Sequence, residues 1–281
     1  MWTAWDHLGE AGTGRAVYAD DPLQPVGMAS PYPWLVSQAG TIDINGVRRP
    51  ISYWRETVWG LRDEPYIAVH RPQGHGRTLN VGRWAWDDVL SSWAWDVEDG
   101  SPIVVDVYTD AAEVELLLNG ESVGIRPVGI EVGGQPRGFI ARFETEYRRG
   151  TLTAVPRTRR KTGAPAELRS LDGEITLHAT AEHKRIGSLP NDLAFIHLTL
   201  RDQAGTLAVD AGATVDVSVE GPGELLGLSS ARPDDEVGFG GFTHATHEGR
   251  LLAVVRPTGS GRIRLAAMSA FGSASVDVIA G

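Results

Sequence analysis

Cysteine is absent from the 281 residues. Disulfides and thiolate-bound metals are therefore excluded, and the compartment stays open, with the cytoplasm favoured over secretion. Positive charge is also scarce: 26 Lys and Arg face 36 Asp and Glu, a formal net charge of −10. Phosphate contacts need a basic surface, so nucleic acid is not an expected partner. No stretch approaches the roughly 18 apolar residues of a membrane helix, and no charged-then-apolar leader opens the chain. A membrane partner is not expected either. Tryptophan is missing from residues 96–281, although nine occur between Trp2 and Trp95. So uneven a distribution implies regions of different construction.

What is present is a turn-rich chain, with 34 Gly and 16 Pro. Its 42% hydrophobic and 22% charged residues are ordinary for a folded protein with a core. Met1–Glu10 opens on aromatic and apolar residues that read as a buried strand running into a loop. Residues 11–39 read as a long irregular segment, and such segments are usually functional in a compact domain. Thr41–Gly46 reads as a short extended piece with an Asn-Gly turn. Behind Pro50, the spacing of Ile51, Trp54, Val58 and Leu61 predicts a helix.

From Tyr66 the period changes to two. Ile103–Tyr108, Val114–Leu118, Phe139–Phe143 and Leu152–Val155 read as strands, with a turn at Asn119-Gly120. A second series begins near Ile175, with strands expected at 175–180, 195–200, 215–219, 251–255, 263–268 and 274–279. Six to seven short strands over about 105 residues suggest an immunoglobulin-like sandwich without its disulfide. The fold expected is mainly β, a partial α/β element followed by two all-β modules. The basic run Arg157–Lys161 reads as a solvated turn or strand edge.

Ordered motifs carry a resemblance to a known family. Trp2-Thr3-Ala4-Trp5-Asp6-His7-Leu8-Gly9-Glu10 resembles the segment after the eighth barrel strand of glycoside hydrolase family 2, the β-galactosidase-like enzymes. Gly40–Gly46 with Arg49-Pro50 and Tyr53-Trp54-Arg55 resembles the stretch that leads into that barrel's last helix. Val105–Ala111 with Val114–Gly120 is similar to the immunoglobulin-like module behind the barrel. Asp192–Ile196 through Glu220–Leu226 is similar to the family's terminal sandwich. The resemblance implies the last strand-helix unit of a (β/α)8 barrel at 1–65, a sandwich at 66–170 and a terminal sandwich at 171–281. It also implies a retaining β-glycosidase acting on terminal β-galactosides, with carbohydrate as the partner; no cofactor and no metal are expected. The family's two catalytic glutamates are expected upstream of Met1, so no catalytic residue is assigned and the chain alone is expected to be inactive. A lone strand-helix unit cannot close a barrel, so residues 1–65 are expected to be poorly ordered or docked on the sandwiches. A stand-alone carbohydrate-binding or assembly module is the alternative, and homo-oligomerisation through the sandwiches a third reading.

The substrate-binding candidates are Trp2, Trp5 and Asp6. An indole face suits the C–H-rich face of a sugar ring, and the resemblance aligns Trp2 with the floor of the sugar pocket. Asp6 could bond a sugar hydroxyl or fix its own loop. Pairing Asp6 with Glu10 as catalytic carboxylates is rejected, because retaining pairs come from two different strands. His7 reads as loop packing. His70, His75, His244 and His247 lack further ligands at zinc spacing. Trp84/Trp86 and Trp93/Trp95, expected on strands, read as an interdomain seam rather than a sugar platform. Gly9–Gly14 lacks the strand-turn-helix context of a phosphate loop.

Overall fold

The computed structural model describes residues 3–132, 134–157 and 163–281. The chain divides into two compact units, Met1–Leu171 and Asp172–Gly281.

The first unit opens with β1 (Thr3–Trp5), β2 (Ala16–Tyr18), β3 (Gly40–Ile42) and the single α-helix among the described residues, α1 (Pro50–Val58). β1 and β3 run parallel, with Thr3 opposite Gly40 and Trp5 opposite Ile42. Gly40 permits this approach, since a Cβ there would strike the backbone of Asp6. Between β3 and α1 lies the expected turn: the Asp43 carboxylate accepts from the amides of Asn45 and Val47 at 2.9 and 2.8 Å, and Gly46 takes φ 84°. Pro50 starts the helix, whose own missing N–H costs nothing there. It ends at Val58, earlier than the periodicity predicted, because Gly60 turns left-handed at φ 66°.

The rest of the unit is a sandwich of β4 (Tyr66–His70), β5 (Leu79–Val81), β6 (Val89–Leu90), β7 (Pro102–Tyr108), β8 (Glu113–Leu118), β9 (Glu121–Pro127), β10 (Ile130–Val132), β11 (Gln135–Arg137), β12 (Ile140–Glu146), β13 (Thr151–Arg157) and β14 (Ala166–Arg169). One sheet has the order β12-β7-β4-β6 and the other β14-β13-β8-β9, while β5 pairs antiparallel with β2. The Asn119-Gly120 turn between β8 and β9 has both residues at positive φ, 53° and 82°, which matches strand twist. Val105, Val107, Val114, Leu116, Phe143 and Leu152 fill the interior. The outer face of the β7 sheet is covered as well. Ala68, Val89, Tyr108 and Ile140 form a second cluster there, overlain by Trp54 of α1, Tyr66 and Trp86. α1 is thus docked on the sandwich, and Trp54 Nε1 donates to the Gly138 carbonyl at 3.1 Å.

The second unit contains β15 (Thr176–Ala181), β16 (Arg185–Ile186), β17 (Ala194–Arg201), β18 (Thr214–Glu220), β19 (Gly223–Ser229), β20 (Thr243–Ala245), β21 (Arg250–Pro257), β22 (Gly261–Ser269) and β23 (Gly272–Ala280). Its sheets have the orders β15-β17-β21-β19 and β16-β23-β22-β18-β20. Alternate residues such as Ile196, Leu198, Leu200, Val215, Ile263, Leu265 and Val278 are buried. The six strands expected from alternation all form. β19, which pairs with β21, was not among them, and neither were the short β16 and β20.

Candidate functional site

Two polar constellations stand out in the first unit. The first lies at the end of β1. The Asp6 amide donates to the Ile42 carbonyl at 2.8 Å, which extends the parallel pairing by one residue. Its carboxylate is fully buried and accepts from Ser37 Oγ and Arg49 Nη2, each at 2.5 Å. The other Arg49 Nη donates to the carbonyls of Gln38 and Gly40 at 2.8 and 3.3 Å. One carboxylate therefore ties β1, the 37–40 segment and the residue preceding α1 into a single corner. Charge-assisted bonds of this kind are about twice as strong as neutral ones.

Trp5, the neighbour of Asp6, is 55% exposed and lies beside Gly46, whose added Cβ would sit 3.7 Å from the indole. The two predicted site residues are adjacent but differ in availability: Trp5 offers an open face, and Asp6 spends both oxygens inside the protein. Trp2 lies outside the described residues. His7 pairs with Glu10 at 3.3 Å on the surface.

Sequence reasoning missed the second constellation. On the outer face of the β7 sheet, the buried Asp106 accepts from Arg142 Nε and Nη2, both at 2.7 Å. His70 Nε2 lies 3.0 Å from the same carboxylate, and Asp87 accepts from Arg137 at 2.7 Å. Burial pushes the Asp106 carboxyl up, but hydrogen bonds from Arg142 and His70 and their charges outweigh it and hold it below the ordinary 3.8. The Arg142 guanidinium is raised by its bond to Asp106. Burial pushes the neighbouring Tyr108 phenol well up. The signal was available in principle, because Asp106 and Arg142 are register partners on adjacent strands.

His70, Asp87 and Asp106 come close enough that one ligand atom from each lies within 4.8 Å of the others. The residues present do not fit a metal ion there. Arg142 Nη2 lies 2.7 Å from Asp106, 3.2 Å from His70 and 3.5 Å from Asp87, so a cation already occupies the centre. His244 is buried on β20 with Asp235 at 3.1 Å, and His247 lies 3.8 Å from Glu248.

The tryptophan doublets are not on strands. Residues 84–87 and 92–97 are irregular. Trp86 donates to the Tyr108 hydroxyl at 2.9 Å and meets Trp54 at a centroid distance of 4.9 Å, so it joins α1 to the sheet. Trp93 is completely buried, donates to the Arg148 carbonyl at 2.9 Å and packs on Tyr147, and Trp95 is buried too. Alternation misled because the backbone here is irregular, and Trp86, Trp93 and Trp95 pack around the core instead of on one strand face. Trp93 and Trp95 are thus closed to a sugar, whereas Trp84 and Trp86 remain half-buried. Arg157 pairs with Glu115, and the remainder of the basic run, residues 158–161, falls outside the described residues.

Comparison with known proteins gives these features a family. The profile described as glycoside hydrolase family 2 C-terminal domain 5 matches residues 177–277, and a domain of unknown function, DUF4982, matches residues 100–162. The β-galactosidase BoGH2A of Bacteroides ovatus is 21% identical over 274 residues, which cover 96% of this chain and 26% of that protein. A solved family 2 glycosyl hydrolase from Bacteroides cellulosilyticus superposes on the whole chain with a TM-score of 0.83 at 30% identity, across 35% of its own length. A β-glycosidase from Bacteroides vulgatus shares the fold, with a TM-score of 0.71 at 18% identity over 99% of this chain and 30% of that one. The chain thus spans about a quarter of the curated relative and about a third of these solved relatives. In order, sequence and fold, it belongs to glycoside hydrolase family 2, as the C-terminal region of such an enzyme.

Proposed function

We propose that this chain is the C-terminal part of a retaining β-glycosidase that hydrolyses terminal β-galactosides. Residues 1–65 would supply the last strand-helix unit of the catalytic (β/α)8 barrel, and 66–170 and 171–281 two immunoglobulin-like sandwiches. The observation that carries this reading is the parallel pairing of β1 with β3 and its run into α1. Parallel strands need a crossover, and strand followed by helix is the repeating unit of such barrels. In support, Leu8, Val26, Met28, Tyr32 and Leu35, in the segment joining β1 to β3, are exposed, as expected of residues that a barrel covers.

Trp5, together with Trp2, would present an apolar face to the sugar ring, and Asp6 would hold that loop in place. A retaining mechanism needs two carboxyl groups about 5–5.5 Å apart, one to protonate the leaving oxygen and one to attack the anomeric carbon. Asp6 is bound to Arg49 and Ser37 and is not free for either role. The chain alone is therefore expected to be inactive.

Two assays test this. An antibody to residues 175–281 is expected to deplete nitrophenyl-β-galactoside hydrolysis from extracts of the source cells, in a species heavier than 30.2 kDa. Depletion of β-glucuronide hydrolysis instead would overturn the sugar. Turnover by the pure 281-residue chain, abolished by Asp6→Ala, would overturn the placement of the chemistry.

A further inference from the structure

Beyond the Arg142 network, the outer face of the β7 sheet opens into a cleft of about 310 Å³. Small-ligand pockets begin at about 300 Å³, so this one has room for a single small molecule. Val104 and Val132 make it apolar on one side, and Leu79 and Val81 of β5 on another. Its polar lining includes Arg77, Arg142, His75 and Glu144, together with Asp87, whose carboxylate is taken by Arg137.

The arginines are paired but not used up. Arg142 spends Nε and Nη2 on Asp106, and its Nη1 makes no hydrogen bond among the described residues. Arg77 spends Nε and Nη2 on Asp20, at 2.7–3.1 Å, and lies over the Tyr18 ring at 4.0 Å, which again leaves Nη1 uncommitted. The side chains of His75 and Glu144 have no hydrogen-bond or ion-pair partner among the described residues. The Nη1 atoms of two paired arginines and the His75 ring, each without an acceptor among the described residues, thus line the cleft beside apolar walls and the Glu144 carboxylate. Arg142 is held by a buried carboxylate, so little of its side-chain entropy remains to be lost when an anion binds.

We propose that this cleft binds a sugar acid, a pyranose carrying a carboxylate. Its carboxylate would sit on Arg77, Arg142 and His75, its hydroxyls would donate to Glu144, and its C–H face would rest on Val104 and Val132. The carboxylate half stands on the uncommitted donors alone. The sugar half rests on the glycosidase reading.

Calorimetric titration of the full chain with sodium D-galacturonate, D-galactose and sodium acetate tests it. Galacturonate is expected to bind about tenfold or more tightly than either other ligand, and more weakly as salt rises. Arg77→Met is expected to weaken it about tenfold. His75→Ala, an exposed change with little bearing on folding, is expected to weaken it about fivefold with an unchanged melting profile. Galactose binding as tightly as galacturonate would overturn the charge recognition. Acetate binding as tightly would overturn the sugar and leave the family 2 reading untouched. No heat with any of the three would overturn the site.

Discussion

The first 65 residues and the sandwich behind them belong to one unit, yet they solve the burial problem differently. In residues 66–171, Ile125 alone among the described large apolar side chains is substantially exposed. In residues 3–65, Trp5, Leu8, Val26, Met28, Tyr32, Leu35, Trp59 and Leu61 all are, with Val26 at 82%. The sandwich closes its interior with two four-stranded sheets, whereas β1 and β3 make a sheet of two strands only. Two isolated strands are marginal in water, and a free parallel edge is a template for further pairing. The opening segment therefore holds its shape by the polar Asp6–Arg49–Ser37 corner and by the packing of α1 on the sandwich, rather than by a core of its own.

The comparison can be broken most forcefully in the sandwich. Leu116→Ala removes a fully buried side chain from β8 and is expected to cost about 2–5 kcal/mol, read as a lower urea midpoint. Leu8→Ala, in the exposed half, is expected to change stability by less than about 0.5 kcal/mol. Equal losses would erase the distinction.

Arg142→Met comes next. It strands the buried Asp106 without its bidentate partner, for an expected cost of about 3–5 kcal/mol. Adding Asp106→Leu is expected to restore much of that stability, because it removes the stranded charge. No restoration would mean that the pair does something other than neutralise itself.

A pH titration sharpens the same point. The Asp106 carboxyl is depressed in the fold below its ordinary 3.8, so its stabilisation is complete above that value and is lost as pH falls below it. The Asp106→Leu, Arg142→Met pair is expected to flatten this acid limb, and an unchanged limb would assign the acid sensitivity to other carboxylates.

Much of the fold was legible because β-alternation is a local signal. Val114-Glu115-Leu116 and Ile263-Arg264-Leu265 declare their inward faces without reference to anything else in the chain. The helix after Pro50 was legible for the same reason, in its 3.6-residue period. β9 (Glu121–Pro127) was not: its Ser, Gly and Arg residues carry no apolar alternation, and it forms because the Asn119-Gly120 turn delivers it to β8. The Asp106 network was hidden because a polar residue within Ile103–Tyr108 reads as solvent-facing, whereas here the outer face is itself covered. Trp5 and Asp6 could be named from the sequence. That one is open and the other sealed could not, since Ser37 and Arg49 approach Asp6 from 31 and 43 residues away.

Native-state hydrogen exchange of the full chain measures the two halves side by side. Protection follows local stability, from nearly zero at mobile edges to the global value in core strands. The account predicts that the amides of β7, β8 and β13 exchange only through global unfolding, while those of β1 and β3 exchange orders of magnitude faster. It also predicts that Asp6→Asn abolishes the residual protection of β1 and β3 and leaves the sandwich unchanged. Protection of β1 and β3 equal to that of the sandwich strands would contradict the claim that the opening segment lacks a core of its own.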